Sequence, residues 1–156
     1  MRRIIVLCAL LTSFLALPAH ALPGLGEFYA GVGTHTYGGF PGQSGINYGG
    51  TIETGIDSIA MSKFGLGLRL DMPTFSPLTT ATNLELRYSI FTVPFVRLLA
   101  GVWAGFSKQD GFVGTYGAFG AARVSLGLPY IALNLGGQGV SDHFTAFGQI
   151  TIGFVL

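Results

Sequence analysis

Charge is scarce in this chain and reactive side chains are scarcer. Only 10% of its 156 residues are Asp, Glu, Lys or Arg, where soluble domains carry about 25%. A single cysteine, Cys8, excludes an intrachain disulfide and a thiolate metal cluster. Hydrophobic residues make up 49% of the chain, yet past residue 21 no stretch approaches the roughly 20 consecutive apolar residues of a spanning helix. Zinc-type spacings are missing, and so is a phosphate-binding glycine loop. Strings such as Gly65-Leu66-Gly67 have no helical pattern behind them and belong to a strand face. No cofactor and no metal are therefore expected.

The N-terminus follows a different logic. Arg2 and Arg3 precede an apolar stretch over residues 4 to 17, then Pro18 and the small-x-small site Ala19-His20-Ala21. That order is a secretory signal peptide over residues 1 to 21, and residues 22 to 156 form one mature domain. Cys8 falls inside the apolar part of the signal. Eight Lys and Arg less Arg2 and Arg3 leaves six against seven Asp and Glu, a mature charge of minus one. A near-neutral chain is not expected to bind nucleic acid.

What the mature chain does contain is period-two alternation. Phe64, Leu66, Leu68 and Leu70 share one face against Lys63, Gly65, Gly67, Arg69 and Asp71. Leu84, Leu86, Tyr88 and Ile90 oppose Asn83, Glu85, Arg87 and Ser89 in the same way. The C-terminal stretch repeats it, with Phe144, Ala146, Gly148, Ile150, Ile152 and Phe154 against His143, Thr145, Phe147, Gln149, Thr151 and Gly153. Gly, Pro, Asn and Asp clusters separate such segments. Strands are expected at 27 to 37, 47 to 57, 62 to 72, 82 to 91, 95 to 106, 113 to 126, 130 to 138 and 143 to 156. The connections after the odd-numbered strands read as longer than those after the even-numbered ones, so the long set is assigned to the outer surface and both termini to the periplasm.

An apolar chain without spanning helices must satisfy its backbone groups in another way, and in lipid that way is a closed barrel. The fold expected is all-β: an eight-stranded antiparallel up-and-down transmembrane β-barrel behind a cleaved signal peptide. Alternation alone also admits a soluble periplasmic lipocalin-like ligand-binding barrel with the leucines inside. The glycine-rich opposite face, with only isolated charges, suits a cramped interior better than a solvated exterior. Two aromatic bands are expected where such a barrel meets the membrane surfaces. Phe28, Tyr88, Phe95, Tyr130 and Phe154 would form one, and Tyr37, Tyr48, Phe75, Phe106, Phe112 and Phe144 the other.

With leucines outward, Glu53, Lys63, Arg69, Asp71, Glu85, Arg87, Arg97 and Arg123 point inward with Asn134, Gln138 and Gln149. Interior charges must pair, so a salt-bridged, filled interior is expected rather than an open pore. Symmetric pairing across the third hairpin would set Arg69 directly opposite Glu85, and Glu53 would neighbour Lys63. Counted this way, inward cations slightly outnumber inward acids, which leaves room for a bound phosphate or carboxylate.

The signal peptide and the final strand, residues 149 to 156 (QITIGFVL), resemble those of small bacterial outer-membrane barrels. That resemblance implies residence in the outer membrane of a Gram-negative bacterium after export by the general secretory route. It also implies contact with outer-membrane lipids including lipopolysaccharide, folding by the barrel-assembly machinery, and a monomeric, structural or surface-interacting role. His35 near the outer end of the first strand, with Asp71 and Ser76, is similar to the lipid A palmitoyltransferase group. The resemblance implies an acyltransferase acting at the outer leaflet. His143 and Thr145 faintly resemble the His-x-Ser of lipid A deacylases.

Overall fold

The computed structural model describes residues 26–38, 46–73, 80–108, 112–140 and 143–156. The expected signal peptide, and with it the expected cleavage site, lies outside the described residues. Eight strands follow one another in chain order: β1 (Glu27–Gly38), β2 (Ile46–Asp57), β3 (Phe64–Pro73), β4 (Ala81–Val93), β5 (Val96–Lys108), β6 (Phe112–Ser125), β7 (Pro129–Val140) and β8 (His143–Val155). Each pairs antiparallel with its chain neighbours, and β8 pairs with β1, closing the barrel. The seam runs to the end of the chain, where Phe28 and Leu156 exchange both backbone hydrogen bonds, at 3.1 and 2.7 Å. Closure leaves no open edge among the strands, which is the stable end point for eight strands with one apolar face.

Alternation sorts the side chains as the sequence pattern predicts. Arg69 is 1% exposed while Leu68 beside it is 43% exposed. Between the two ends, the exterior is Leu, Ile, Val, Phe, Tyr, Met, Ala, Gly and Thr, without one charged residue among the described residues. In β4 the alternation breaks once. A bulge between Ser89 and Phe91 puts both Ile90 and Phe91 outside, and the pairing with β5 resumes one residue out of step.

Two features of the connections differ from expectation. The strands run longer at the end that carries connections 39–45, 74–80, 109–111 and 141–142, so two of those four are tight. At the opposite end the connection over residues 58–63 is longer than either of them. It holds Ser58, Ala60 and Met61 at positive φ (57°, 51° and 60°), a region costly for L-residues. The Met61 N–H donates to the Ser58 carbonyl and the Ser62 N–H to that of Ile59, pinning the turn. We call this end, with 94–95 and 126–128, the turn end, and the other the loop end.

Not every aromatic residue expected in the bands lies outside. Tyr130 is 1% exposed and turns inward, and Tyr37 packs against the interior cluster of Leu99, Trp103, Phe119, Ala121 and Phe147. Phe75 lies outside the described residues. The rest, Phe28, Tyr88, Phe95 and Phe154 near one end and Tyr48, Phe106, Phe112 and Phe144 near the other, are exposed.

Candidate functional site: the barrel interior

The interior is a column of arginines interleaved with aromatic rings. Starting at the turn end, the Arg123 guanidinium carbon lies 4.6 Å from the Tyr130 ring centre and 4.7 Å from that of Tyr29. Tyr29 in turn receives Arg87 at 4.3 Å, and Arg87 reaches Phe119 at 5.8 Å. Trp103 continues the column, 5.7 Å from Phe119 and 4.9 Å from Phe147. Arg69 lies over Trp103 at 4.1 Å and near Phe147 at 5.4 Å. A guanidinium is planar and weakly hydrated, so it stacks flat on rings and is desolvated more easily than an ammonium.

Glycine makes the space. A Cβ on Gly117 would fall 2.2 Å from the Trp103 ring, and one on Gly101 would fall 2.4 Å from Phe119. These two inward glycines are therefore the beds on which the Trp103 and Phe119 rings lie. Outside, Tyr116 covers Gly139 and Phe144 covers Gly137 in the same manner.

Carboxylates neutralise the column from its sides. Glu53 accepts from Arg87 Nη2 at 3.2 Å, the Tyr130 hydroxyl at 2.9 Å and Gln149 Nε2 at 3.0 Å. Glu85 is held by Arg87 at 2.6 Å and Arg69 Nη1 at 3.1 Å. Asp71 accepts from Arg69 Nε at 3.0 Å, Asn83 Nδ2 at 2.9 Å and the Thr51 hydroxyl at 3.1 Å. At the turn end Asp57 pairs with Arg123 and, at 3.5 Å, with Arg97, whose other nitrogen meets Glu27 at 2.6 Å.

Seven of the eight network residues named from the sequence, Glu53, Arg69, Asp71, Glu85, Arg87, Arg97 and Arg123, lie in this interior. Lys63 does not. It precedes the first residue of β3, is exposed, and extends to within 5.9 Å of the outward Tyr88 ring. The pairing of β2 with β3 carries Glu53 past it to stand opposite Arg69. Asn83, not Glu85, stands opposite Arg69, and Gly67 faces Glu85. The hairpin is displaced by two residues from the symmetric expectation, which leaves every side chain on its predicted face. Arg69 bridges the diagonal to Glu85 through its length. Asp57 and Glu27 were missed, although Asp57 has the inward parity of Glu53. With them counted, four arginines meet five carboxylates, so the cation excess that left room for an anion does not hold for the interior as a whole.

At the loop end, His35 is buried and stacks on Tyr37 at 5.6 Å and 24°. Gly49 opposite it leaves the imidazole its room. His35 Nδ1 stands 3.8 Å from Asp71 Oδ1, too far for a hydrogen bond. Ser76 lies outside the described residues. His143 is exposed at the start of β8, and the Thr145 hydroxyl donates to the Ala146 carbonyl at 3.3 Å. Chemically, the described interior is a neutralised, packed network rather than a nucleophile set beside a base.

The diagonal pair makes a measurable claim. Arg69→Met and Glu85→Gln should each destabilise the barrel, and the double variant should lose less than the sum, with a coupling of about 0.5–3 kcal/mol in equilibrium unfolding. Strict additivity would mean that the two side chains do not interact.

No family model matches this chain, and neither the curated proteins nor the solved structures contain a match to it.

Proposed function

We propose that this chain is a small outer-membrane β-barrel of a Gram-negative bacterium, exported behind a cleaved signal peptide, with a structural or surface-interaction role and no open pore. The observation that carries the reading is the inverted distribution of polarity. Buried carboxylates and guanidiniums fill the inside, and an uncharged girdle of Leu, Ile, Val and Phe covers the outside. In water that exterior would be an apolar patch far beyond the few hundred Å² a soluble monomer exposes. In lipid it is the required surface, and strands of 10 to 14 residues match the ~9–11 needed to cross a bilayer at a tilt. A ligand-holding soluble barrel would need the opposite arrangement and an empty apolar interior. In this reading the turn end faces the periplasm.

Envelope fractionation, followed by electrophoresis with and without boiling, tests the proposal. The protein should accompany outer-membrane markers and migrate differently when unboiled, because a closed barrel resists the detergent until heated. Recovery in the soluble periplasmic fraction would overturn it.

A second reading, modification of lipid A by acyl transfer or deacylation, rests on the placement of buried His35 beside Asp71 near the loop end. The commitment of Asp71 to Arg69, Asn83 and Thr51 favours a structural task for that carboxylate. Mass spectrometry of lipid A from cells expressing wild type or His35→Ala decides between them. An acyl-chain change present only with wild type would establish the enzymatic reading; identical lipid A would leave the structural one.

A further inference from the structure

At the turn end the column does not close the barrel completely. A half-open cavity of about 440 Å³ remains between β1, β4, β5, β6 and β8, lined among others by Glu27, Val93, Phe95, Arg97, Arg123 and Val155. Its size falls in the range of small-ligand pockets, about 300–1,000 Å³. Two of its walls are guanidiniums, and the lining as a whole is about half polar, with Thr92 and Ser125 beside the aliphatic and aromatic side chains.

The charges around it are unevenly held. Asp57, 1% exposed, serves both Arg123 and Arg97, and its second oxygen sits over Gly65. Arg123 is 2% exposed, and its Nε and Nη2 have no hydrogen-bond partner among the described residues; neither has Arg97 Nη1. A buried guanidinium with unfilled donors is unusual, because leaving a buried donor unmet is costly. Higher in the barrel, Arg69 and Arg87 face three carboxylates, so the surplus negative charge lies away from this mouth. Here two arginines have one buried carboxylate, and the fourth charge is Glu27. The Glu27 side chain is 47% exposed and, among the described residues, is tied through Arg97 at 2.6 Å.

We propose that the mouth is a binding site for an organic carboxylate with a compact apolar substituent, and that Glu27 occupies its anion position until such a ligand displaces it. Glu27 already demonstrates that Arg97 accepts a carboxylate in this place. The Glu27 end of this pair is open to water while the Arg97 end is largely buried, with side chains 47% and 12% exposed, so Glu27 can swing out into solvent and leaves Arg97 in need of another anion. The incoming carboxylate takes a guanidinium edge in the two-point manner that suits arginine. Its substituent lies against Val93, Phe95 and Val155, which a bare anion would leave uncovered. The site belongs to the folded barrel whichever solvent surrounds the exterior, so it stands or falls separately from the membrane reading.

The test uses the protein folded in a zwitterionic detergent, with the side-chain N–H resonances of Arg97 and Arg123 followed by NMR during titration with benzoate and, separately, with acetate. In wild type, benzoate should shift both arginines in a saturable way. In Glu27→Gln the same shifts should come at about two- to fivefold lower benzoate, since the internal competitor is gone. Acetate should require much higher concentrations in both. Should Glu27→Gln fail to fold, the wild-type comparison of benzoate with acetate still decides. Arginine resonances that do not respond to benzoate, or that respond equally to acetate, would overturn the proposal, as would equal benzoate affinity in folded Glu27→Gln and wild type.

Discussion

Glu53→Ala should cost the folded barrel about 1–3 kcal/mol, the cost of leaving a buried donor without its acceptor. Glu53 stands on β2, is 1% exposed, and gathers donors from β4, β7 and β8 through Arg87, Tyr130 and Gln149. Truncation removes one acceptor from all three, and Gln149 Nε2 keeps the Thr151 hydroxyl at 2.8 Å. Arg87 keeps Glu85, so its charge is not stranded, but the Tyr130 hydroxyl loses its hydrogen-bond partner among the described residues. Glu53→Gln retains the shape and one acceptor oxygen and should fall between wild type and Ala. Denaturant unfolding in lipid vesicles measures both. An Ala variant with an unchanged midpoint and slope would show that the column stands without its central carboxylate.

The second large effect belongs to the exterior. Leu68→Arg on β3, whose neighbours across the ladder are Thr54 and Leu84, should destabilise the barrel in lipid by roughly 2–4 kcal/mol, the cost of an arginine near the bilayer midplane. The same substitution on a barrel surrounded by water would be nearly neutral, because Leu68 is already 43% exposed. The variant therefore reads out the solvent on the outside, and a neutral result in vesicles would remove the physical basis of the membrane proposal.

The two experiments probe opposite faces of neighbouring strands, and the faces differ in how far they could be read in advance. Leu66, Leu68 and Leu70 against Gly65, Gly67 and Arg69 state their sides plainly, since successive residues of a strand must point apart. The bulge at Ile90 and Phe91 is the one place where that rule lost count, and both residues there are apolar, so nothing in the pattern marked the extra step. Aromatic residues were harder. Tyr130 and Tyr37 sit near strand ends as Phe28 and Tyr48 do, and an aromatic ring is compatible with either face until its neighbours are known. Lys63 shares the parity of Arg69, but parity has no meaning before the strand begins.

By itself the sequence determined the strands, their closure into an up-and-down order of eight, and the inward side of Glu53, Arg69, Asp71, Glu85, Arg87, Arg97 and Arg123, because these depend on local spacing and on the length of short connections; Lys63, at a strand boundary, and Asp57 and Glu27, at strand ends, escaped that rule. The depth of each charge, and hence its partners, was decided only by the tertiary structure. A register shift of two residues preserves every face, so alternation cannot distinguish Arg69 opposite Glu85 from Arg69 opposite Asn83. The contacts that matter most join residues far apart in the chain, such as Glu53 with Gln149 and Tyr130. The stacking of Arg123, Arg87 and Arg69 between rings from β1, β5, β6, β7 and β8 exists only once the barrel has closed around them, with glycines placed where the rings must lie.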